Sequence, residues 1–324
     1  MGAGVRIRPR QALGILAAAA GRIMSRNTRW IPALALVALS TTASSPPWPP
    51  DGARPKGSLV IVGGGSRSEV MMRRFVELAG GAGTARIAVV PMASSEPQAT
   101  GTEVAAELDS LGATTFVFLV DSAAAESEAT VHRLDAATGI WFTGGDQELL
   151  TAAIGETASL RAMHRRYREG AVVGGTSAGA AIMSDSMITG NQTPPGDTTG
   201  YYGDEFPAIA RHRFQVVPGL GFLPGAIVDQ HFIRRERHNR LMSAVLERPH
   251  LVGVGIDEST ALEVGPDGRW RVLGESEVVV YDARRARVPV LAGARLGATD
   301  LRVHLLPPGS TYDPKRGRAT IPPR

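Results

Sequence analysis

From residue 57 the chain alternates short apolar runs with longer stretches whose apolar positions recur every three or four residues. The runs at 58–62, 86–92, 115–120 and 139–142 are near-continuous in apolar character, as strands covered on both faces require. The stretches at 70–78, 102–111, 123–134, 147–153 and 157–169 carry helical spacing. Strand–helix units in this order predict an α/β fold with a doubly wound, mainly parallel sheet. Ligands of such sheets bind beyond the carboxyl ends of the strands. The turns 63–66, 144–147 and 175–177 all follow predicted strands, so they are expected to share one rim. After Ile256 the pattern changes to a β-rich segment, with strands expected at 269–273, 277–281 and 301–306.

The stretch from Ala171 to Ala180, Ala-Val-Val-Gly-Gly-Thr-Ser-Ala-Gly-Ala, carries the strongest chemical signal. It reads as a buried strand, a sharp turn and the start of a helix, with Ser177 at the turn. Gly174, Gly175, Ala178 and Gly179 are small enough for strand and helix to approach closely, the logic of a nucleophile elbow. Helix N-termini leave N–H groups open, which suits a developing oxyanion. The same glycine-rich turn also serves phosphate binding or plain packing. Gly63-Gly-Gly-Ser-Arg-Ser68 lacks the lysine of a P-loop and the spacing of a dinucleotide fingerprint, so a tight turn is its expected role.

A serine nucleophile needs a base, and the base needs an orienting group. Strand-like Ala226-Ile-Val-Asp-Gln-His231 ends in Asp229, Gln230 and His231, and Leu251-Val-Gly-Val-Gly-Ile256 runs into Asp257 and Glu258. Taken singly, His231 and Glu258 could be a structural histidine and a solvated turn carboxylate. Arg234, Arg235, Arg237 and Arg240 follow on a predicted helix, where Arg237 and Arg240 share a face suited to a carboxylate. His231 and His238 lack metalloprotease spacing and the chain has no cysteine, which disfavours a metal site. Residues 187–222 are a long polar insertion, expected to wall or cover the site.

Charge shifts the picture at one end only. Residues 1–45 hold six arginines and no acid, so of the chain's net +4 the remainder carries −2, and no nucleic-acid partner is implied. Residues 24–29 read as a basic n-region, 30–39 as a short apolar h-region and 41–43 as a small-residue cleavage site. Residues 1–45 are therefore expected to be an export signal leading to a periplasmic or extracellular protein, without a stable membrane span. Residues 46–56 read as a proline-rich linker and 57–324 as one catalytic domain.

Phe142-Thr-Gly-Gly-Asp-Gln147, Gly175-Thr-Ser-Ala-Gly-Ala180, Asp229-Gln-His-Phe232 with its Arg-x-x-Arg-Leu, and Gly255-Ile-Asp-Glu258 together resemble the cyanophycinase family. These are serine peptidases related to peptidase E, with a flavodoxin-like, class I glutamine-amidotransferase-like fold. The resemblance implies Ser177 as nucleophile, His231 as general base and then acid, and Glu258 as the group orienting the imidazole. Ala178 with Gly144 or Gly145 would form the oxyanion hole, and Gln147, Asp229, Gln230, Arg237 and Arg240 would line the substrate pocket. The implied substrate is cyanophycin, a poly-aspartate backbone bearing arginine on each side-chain carboxyl, cleaved to β-Asp-Arg dipeptides. Its free carboxylates would meet Arg237 or Arg240, and its guanidinium groups Asp229. No metal or organic cofactor is implied, and a homodimer is usual for such proteins. The turn 63–68 lacks the acid often found there in the family, and the 187–222 insertion is of unfamiliar sequence. Two alternatives follow: an exported peptidase for other aspartyl or isoaspartyl peptides, or a non-catalytic binder of acidic peptides.

Overall fold

A computed structural model describes residues 54–190, 206 and 208–323. The expected export leader, the linker up to residue 53 and residues 191–205 and 207 of the insertion lie outside the described residues. Residues 54–56 are tied to the body: Lys56 N–H donates to Arg168 O and the Arg54 guanidinium to Asp267 O.

Five parallel strands form the heart of the molecule: β1 (Leu59–Val62), β2 (Arg86–Val90), β3 (Thr114–Val117), β4 (Gly139–Phe142) and β5 (Val172–Thr176). The helices between them are α1 (Glu69–Leu78), α2 (Pro97–Ser110), α3 (Glu128–His132), α4 (Gln147–Ile154) and α5 (Ala158–Glu169). Alternate residues of each strand go to opposite faces, and the core divides accordingly. Val60 and Val62 join Ile87, Val89 and Trp141 against Met71, Met72 and Phe75 of α1 and Val104 and Leu108 of α2. Leu59 and Ile61 join Val90, Ile140 and Phe142 against Leu150 of α4 and Met163 and Tyr167 of α5.

Local signals set the helix ends. Ser68 caps α1 by accepting from Met71 N–H, and Thr157 caps α5 by accepting from Leu160 N–H. Gly170, at φ 131°, ends α5 in a conformation that favours glycine. Two helices differ from expectation. The predicted 123–134 helix is interrupted, because Ser127 caps a new helix, α3, after a 3₁₀ turn at Ala124–Glu126. Helix α2 begins earlier than 102, with Pro97 in its first turn. Gly101 lies inside it because a Cβ there would come within 2.8 Å of Val117 on β3.

The rest of the chain follows β5 as α6 (Ala178–Ala181), β6 (Ser186–Ile188), β7 (Val216–Pro218), β8 (Ala226–Gln230), α7 (His238–Glu247) and β9 (Val252–Ile256). It ends in β10 (Thr260–Val264), β11 (Trp270–Gly274), β12 (Val278–Asp282), β13 (Arg302–Leu306), β14 (Thr311–Asp313) and β15 (Arg318–Thr320). Strands β10, β11, β14 and β15 extend the main sheet beyond β1, each antiparallel to its neighbour, giving the order β15-β14-β11-β10-β1-β5-β4-β2-β3. Strands β8 and β9 form a second sheet, β13-β12-β9-β8. One face of it, with Val228, Val254 and Val280, packs into the same core as Leu59 and Ile61. Its other face, with Ile227, Val279 and Tyr281, is covered by Leu241, Ala244 and Val245 of α7. The described ends of the insertion form the antiparallel ribbon β6–β7. Among the described residues no helix is long and apolar enough to cross a membrane.

One core residue makes stability depend on pH. His164 of α5 is buried, stacks on Phe222 with ring centroids 4.3 Å apart, and holds Nε2 2.8 Å from Leu220 O. Burial pushes its pKa from 6.5 down to about 4. Below pH 6.5 the unfolded chain therefore takes up a proton that the folded chain refuses, so stability falls with acid. The loss is expected to reach roughly 3 kcal/mol by pH 4. Urea unfolding of the parent and His164→Gln between pH 7 and 4 checks this, the variant losing that part of the slope.

Candidate active site

Ser177 stands between β5 and α6 with φ 54° and ψ −109°. That conformation is costly for a residue with a Cβ and persists only where its surroundings enforce it. Here Ser177 N–H donates to Val62 O at 3.0 Å, pinning the turn to the end of β1. The flanking glycines serve close approach: a Cβ on Gly175 would lie 2.5 Å from Gly179 O, and one on Gly179 2.4 Å from Phe142 O. Strand and short helix can therefore cross at the distance the elbow needs.

The second group arrives from the second sheet. His231 follows β8, also at positive φ (49°), and donates its N–H to Gly63 O at 2.6 Å. Its Nε2 lies 2.8 Å from Ser177 Oγ and its Nδ1 2.7 Å from Glu258 Oε1. Glu258 follows β9, which runs parallel to β8 with Gln230 opposite Ile256. With the Nδ1 proton directed to the carboxylate, Nε2 is left to accept the serine proton. Burial lowers the His231 pKa, the bond to Glu258 opposes that, and the nearby Arg235 and Arg237 charges lower it further. The imidazole is thus neutral near pH 7, the form a general base requires.

The turns expected to share a rim are brought together. Gly64 and Gly65, at φ 108° and 68°, form the floor beneath the base and its acid. A Cβ on Gly64 would lie 2.2 Å from the His231 ring, and one on Gly65 2.8 Å from Glu258 Cβ. The glycine run at 63–65 therefore does more than turn the chain. It seats the imidazole and the carboxylate, which sequence pattern alone did not reveal. Gly144 adjoins the serine, a Cβ there falling 3.4 Å from Ser177 Cβ and 3.9 Å from its Oγ. Gly145, at φ 134°, packs so tightly on Ala93 O that no side chain fits. Ala178 N–H opens α6 directly after the serine.

The residues expected to line a substrate pocket divide into two groups. Gln147 is buried at the start of α4 and donates through Nε2 to Ile188 O at 3.0 Å, tying the rim to β6. Gln230 ends β8, and its carbonyl accepts from Arg237 Nη1 at 2.8 Å. Asp229 and Arg240 are turned on each other. Arg240 donates through Nε and Nη2 to the two carboxylate oxygens of Asp229, while Arg237 Nη1 lies 3.7 Å from Asp229 Oδ1. Asp229 is 0% exposed and Arg240 3%, with the Arg240 guanidinium also 5.1 Å from the Phe206 ring centroid. The two charges expected to meet substrate face each other in the structure as a buried ion pair. The arginines also differ in placement from expectation. Helix α7 starts at His238, so Arg234 to Arg237 lie in the turn before it.

This burial makes a prediction. Asp229→Ala leaves the Arg240 charge without its carboxylate inside the protein, which is expected to cost about 3–5 kcal/mol. Urea unfolding of the variant reads the loss. A raised KM in a protein of unchanged stability would instead return Asp229 to the role of substrate ligand.

The sequence profile of peptidase family S51 matches residues 59–269. The chain is 36% identical over 268 residues to a cyanophycinase of Synechococcus elongatus, covering 80% of this chain and 79% of that one. A cyanophycinase of Thermosynechococcus vestitus matches with the same figures, and one of Geminocystis herdmanii is 33% identical over 80% of this chain and 94% of its own. Among solved structures, a peptidase from an acI-B1 Actinobacterium superposes with a TM-score of 0.55 at 21% identity, over 76% of this chain and 98% of that one, a likeness of fold. Matches of this extent, over a chain that presents a serine, a histidine and a glutamate in line at the strand ends, assign the protein to peptidase family S51 and make it a serine peptidase.

Proposed function

We propose that the protein hydrolyses cyanophycin, releasing β-Asp-Arg dipeptides through an acyl-enzyme on Ser177. The observation that carries this is the continuous Ser177–His231–Glu258 hydrogen-bond line in a chain whose curated relatives are named cyanophycinases. Ser177 Oγ attacks the scissile carbonyl as His231 Nε2 takes its proton. Glu258 holds the imidazole in the accepting tautomer and stabilises the imidazolium that forms. Ala178 N–H and the Gly144–Gly145 turn receive the oxyanion. His231 then protonates the leaving amine, and a water activated by the same imidazole releases the acyl group. Gln147, Gln230 and Arg237 wall the substrate side of the site, while the Asp229–Arg240 pair supports that wall from behind.

Incubation with purified cyanophycin, with products identified by mass spectrometry, tests the substrate. Dipeptides carrying an intact β-Asp-Arg bond are the expected product. Polymer left whole while short β-aspartyl or α-aspartyl peptides are cut would move the function to another acidic peptide. A protein that neither cuts peptides nor reacts with a serine-directed phosphonate would be a binder. The lowered His231 pKa sets the acid limb: kcat/KM is expected to fall below pH 6.5, through an apparent pKa under the ordinary imidazole value. A limb at or above 6.5 would contradict it.

The basic, then apolar, then small-residue order at 24–43 supports export, checked by sequencing the N-terminus of protein secreted from an expressing cell. An exported enzyme would scavenge polymer released by other cells rather than mobilise the cell's own store. A homodimer rests on the resemblance alone and is read by light scattering.

A further inference from the structure

Two residues of the serine–histidine pair occupy strained backbone, but the histidine turn has a support of its own. Asp257, 8% exposed, stands between the end of β9 and Glu258. Its Oδ1 accepts from Ile233 N–H at 3.0 Å and from Arg234 N–H at 2.9 Å, the second and third residues after His231. Its Oδ2 accepts from Ser276 Oγ–H at 2.7 Å, just before β12. Phe232 N–H reaches Ile256 O at 3.3 Å. Between the imidazole and α7, three consecutive N–H groups therefore end on the two residues that precede Glu258.

From this convergence, and resting on the serine-peptidase reading above, we infer that Asp257 is the positioning residue of the catalytic base. Its carboxylate locks the turn after His231 to the chain segment that carries Glu258, so base and orienting acid form one unit. The physical need is specific. His231 sits at φ 49°, and a residue with a Cβ stays there only if hydrogen bonds on both sides leave it no alternative. Gly63 O supplies the bond before the side chain, and Asp257 supplies two after it. Ser276, in the turn before β12, fixes the carboxylate rotamer through Oδ2, so Oδ1 faces the turn after His231. Without these bonds the turn can relax to negative φ, which swings the ring away from both Ser177 and Glu258. Asp257 touches no reacting atom, and its effect runs through His231.

The test uses the full protein and three substitutions. Asp257→Ala removes both acceptors and is expected to lower kcat about 30- to 100-fold with KM nearly unchanged, the scale of a misplaced catalytic group. Asp257→Asn keeps an oxygen for Ile233 and Arg234 and is expected to stay within about threefold of the parent. Ser276→Ala, which loosens the rotamer only, falls between them. Each rate is divided by the number of sites a serine-directed phosphonate labels, which separates positioning from partial unfolding. An unchanged rate per labelled site in Asp257→Ala overturns the inference. So does an Asn variant as slow as the Ala variant, because charge rather than turn geometry would then be at work. A second readout needs no substrate: the His231 Nδ1 proton, shared with Glu258, is expected at low field in the proton NMR spectrum of the parent and Asp257→Asn and lost in Asp257→Ala. Its persistence in the Ala variant also overturns the inference. A parent protein that no phosphonate labels would sink the serine-peptidase reading instead, and the imidazole proton would still decide the role of Asp257.

Discussion

Ser177→Ala is expected to lower kcat by about 10⁵- to 10⁶-fold, the largest loss any single substitution here would produce. The hydroxyl is in line with the base, its oxygen 2.8 Å from His231 Nε2. Alanine keeps the Cβ, so the Gly144 turn and the start of α6 retain their packing. Its backbone strain at φ 54° matches that of serine, so folding is expected to be little affected. KM is therefore expected to stay within a few-fold of the parent, and labelling by a phosphonate to disappear. Product mass spectrometry over long incubations reads the residual rate. A variant retaining even a hundredth of the parental kcat would remove Ser177 from the nucleophile's role.

Glu258→Gln is expected to cost about 10³- to 10⁴-fold in kcat while leaving the site's shape intact. The carboxylate accepts the Nδ1 proton at 2.7 Å, which keeps Nε2 free of a proton and facing the serine. An amide that turns its NH₂ to Nδ1 selects the opposite tautomer, whose Nε2–H cannot take the serine proton. An amide that turns its oxygen inward keeps the tautomer but loses the charge that stabilises the imidazolium. Both routes slow acylation, and both lower the imidazole pKa, because the amide lacks the charge of the carboxylate. Pre-steady-state measurement of the acylation burst reads the loss. A loss under tenfold would mean that the imidazole is oriented by the turn alone.

The strand–helix rhythm and the elbow were legible in the sequence because both rest on local chemistry. Apolar runs specify buried strands, and Gly175-Thr-Ser-Ala-Gly179 specifies a turn that few other residue sets could make. The pairing of distant groups was less legible. Asp229 and Arg240 each looked like a ligand for an opposite charge. That each is the other's partner depends on how β8 and α7 pack, which no periodicity records. Likewise Gly64 and Gly65 read as freedom to turn, whereas their smallness is used by His231 and Glu258 from another sheet. The adjacent acids at 257 and 258 were visible, but only hydrogen-bond geometry divides them between the turn and the imidazole. The helix expected to open at Arg234 begins at His238 because Glu236 stands at φ 51°, outside helical geometry.

The separate sheets have a consequence for the peptidase while it is being made. Ser177 precedes His231 by 54 residues, and the two follow strands of different sheets. During synthesis the N-terminal strands can fold before the second sheet exists. At that stage the elbow holds an ordinary alcohol, because neither the proton acceptor nor its carboxylate has been added. With the proposed triad, cleaving power is expected only once the second sheet docks and the Gly63 carbonyl captures His231. On that reading a half-finished chain is harmless to its neighbours, and hydrolysis itself reports that the last layer has closed.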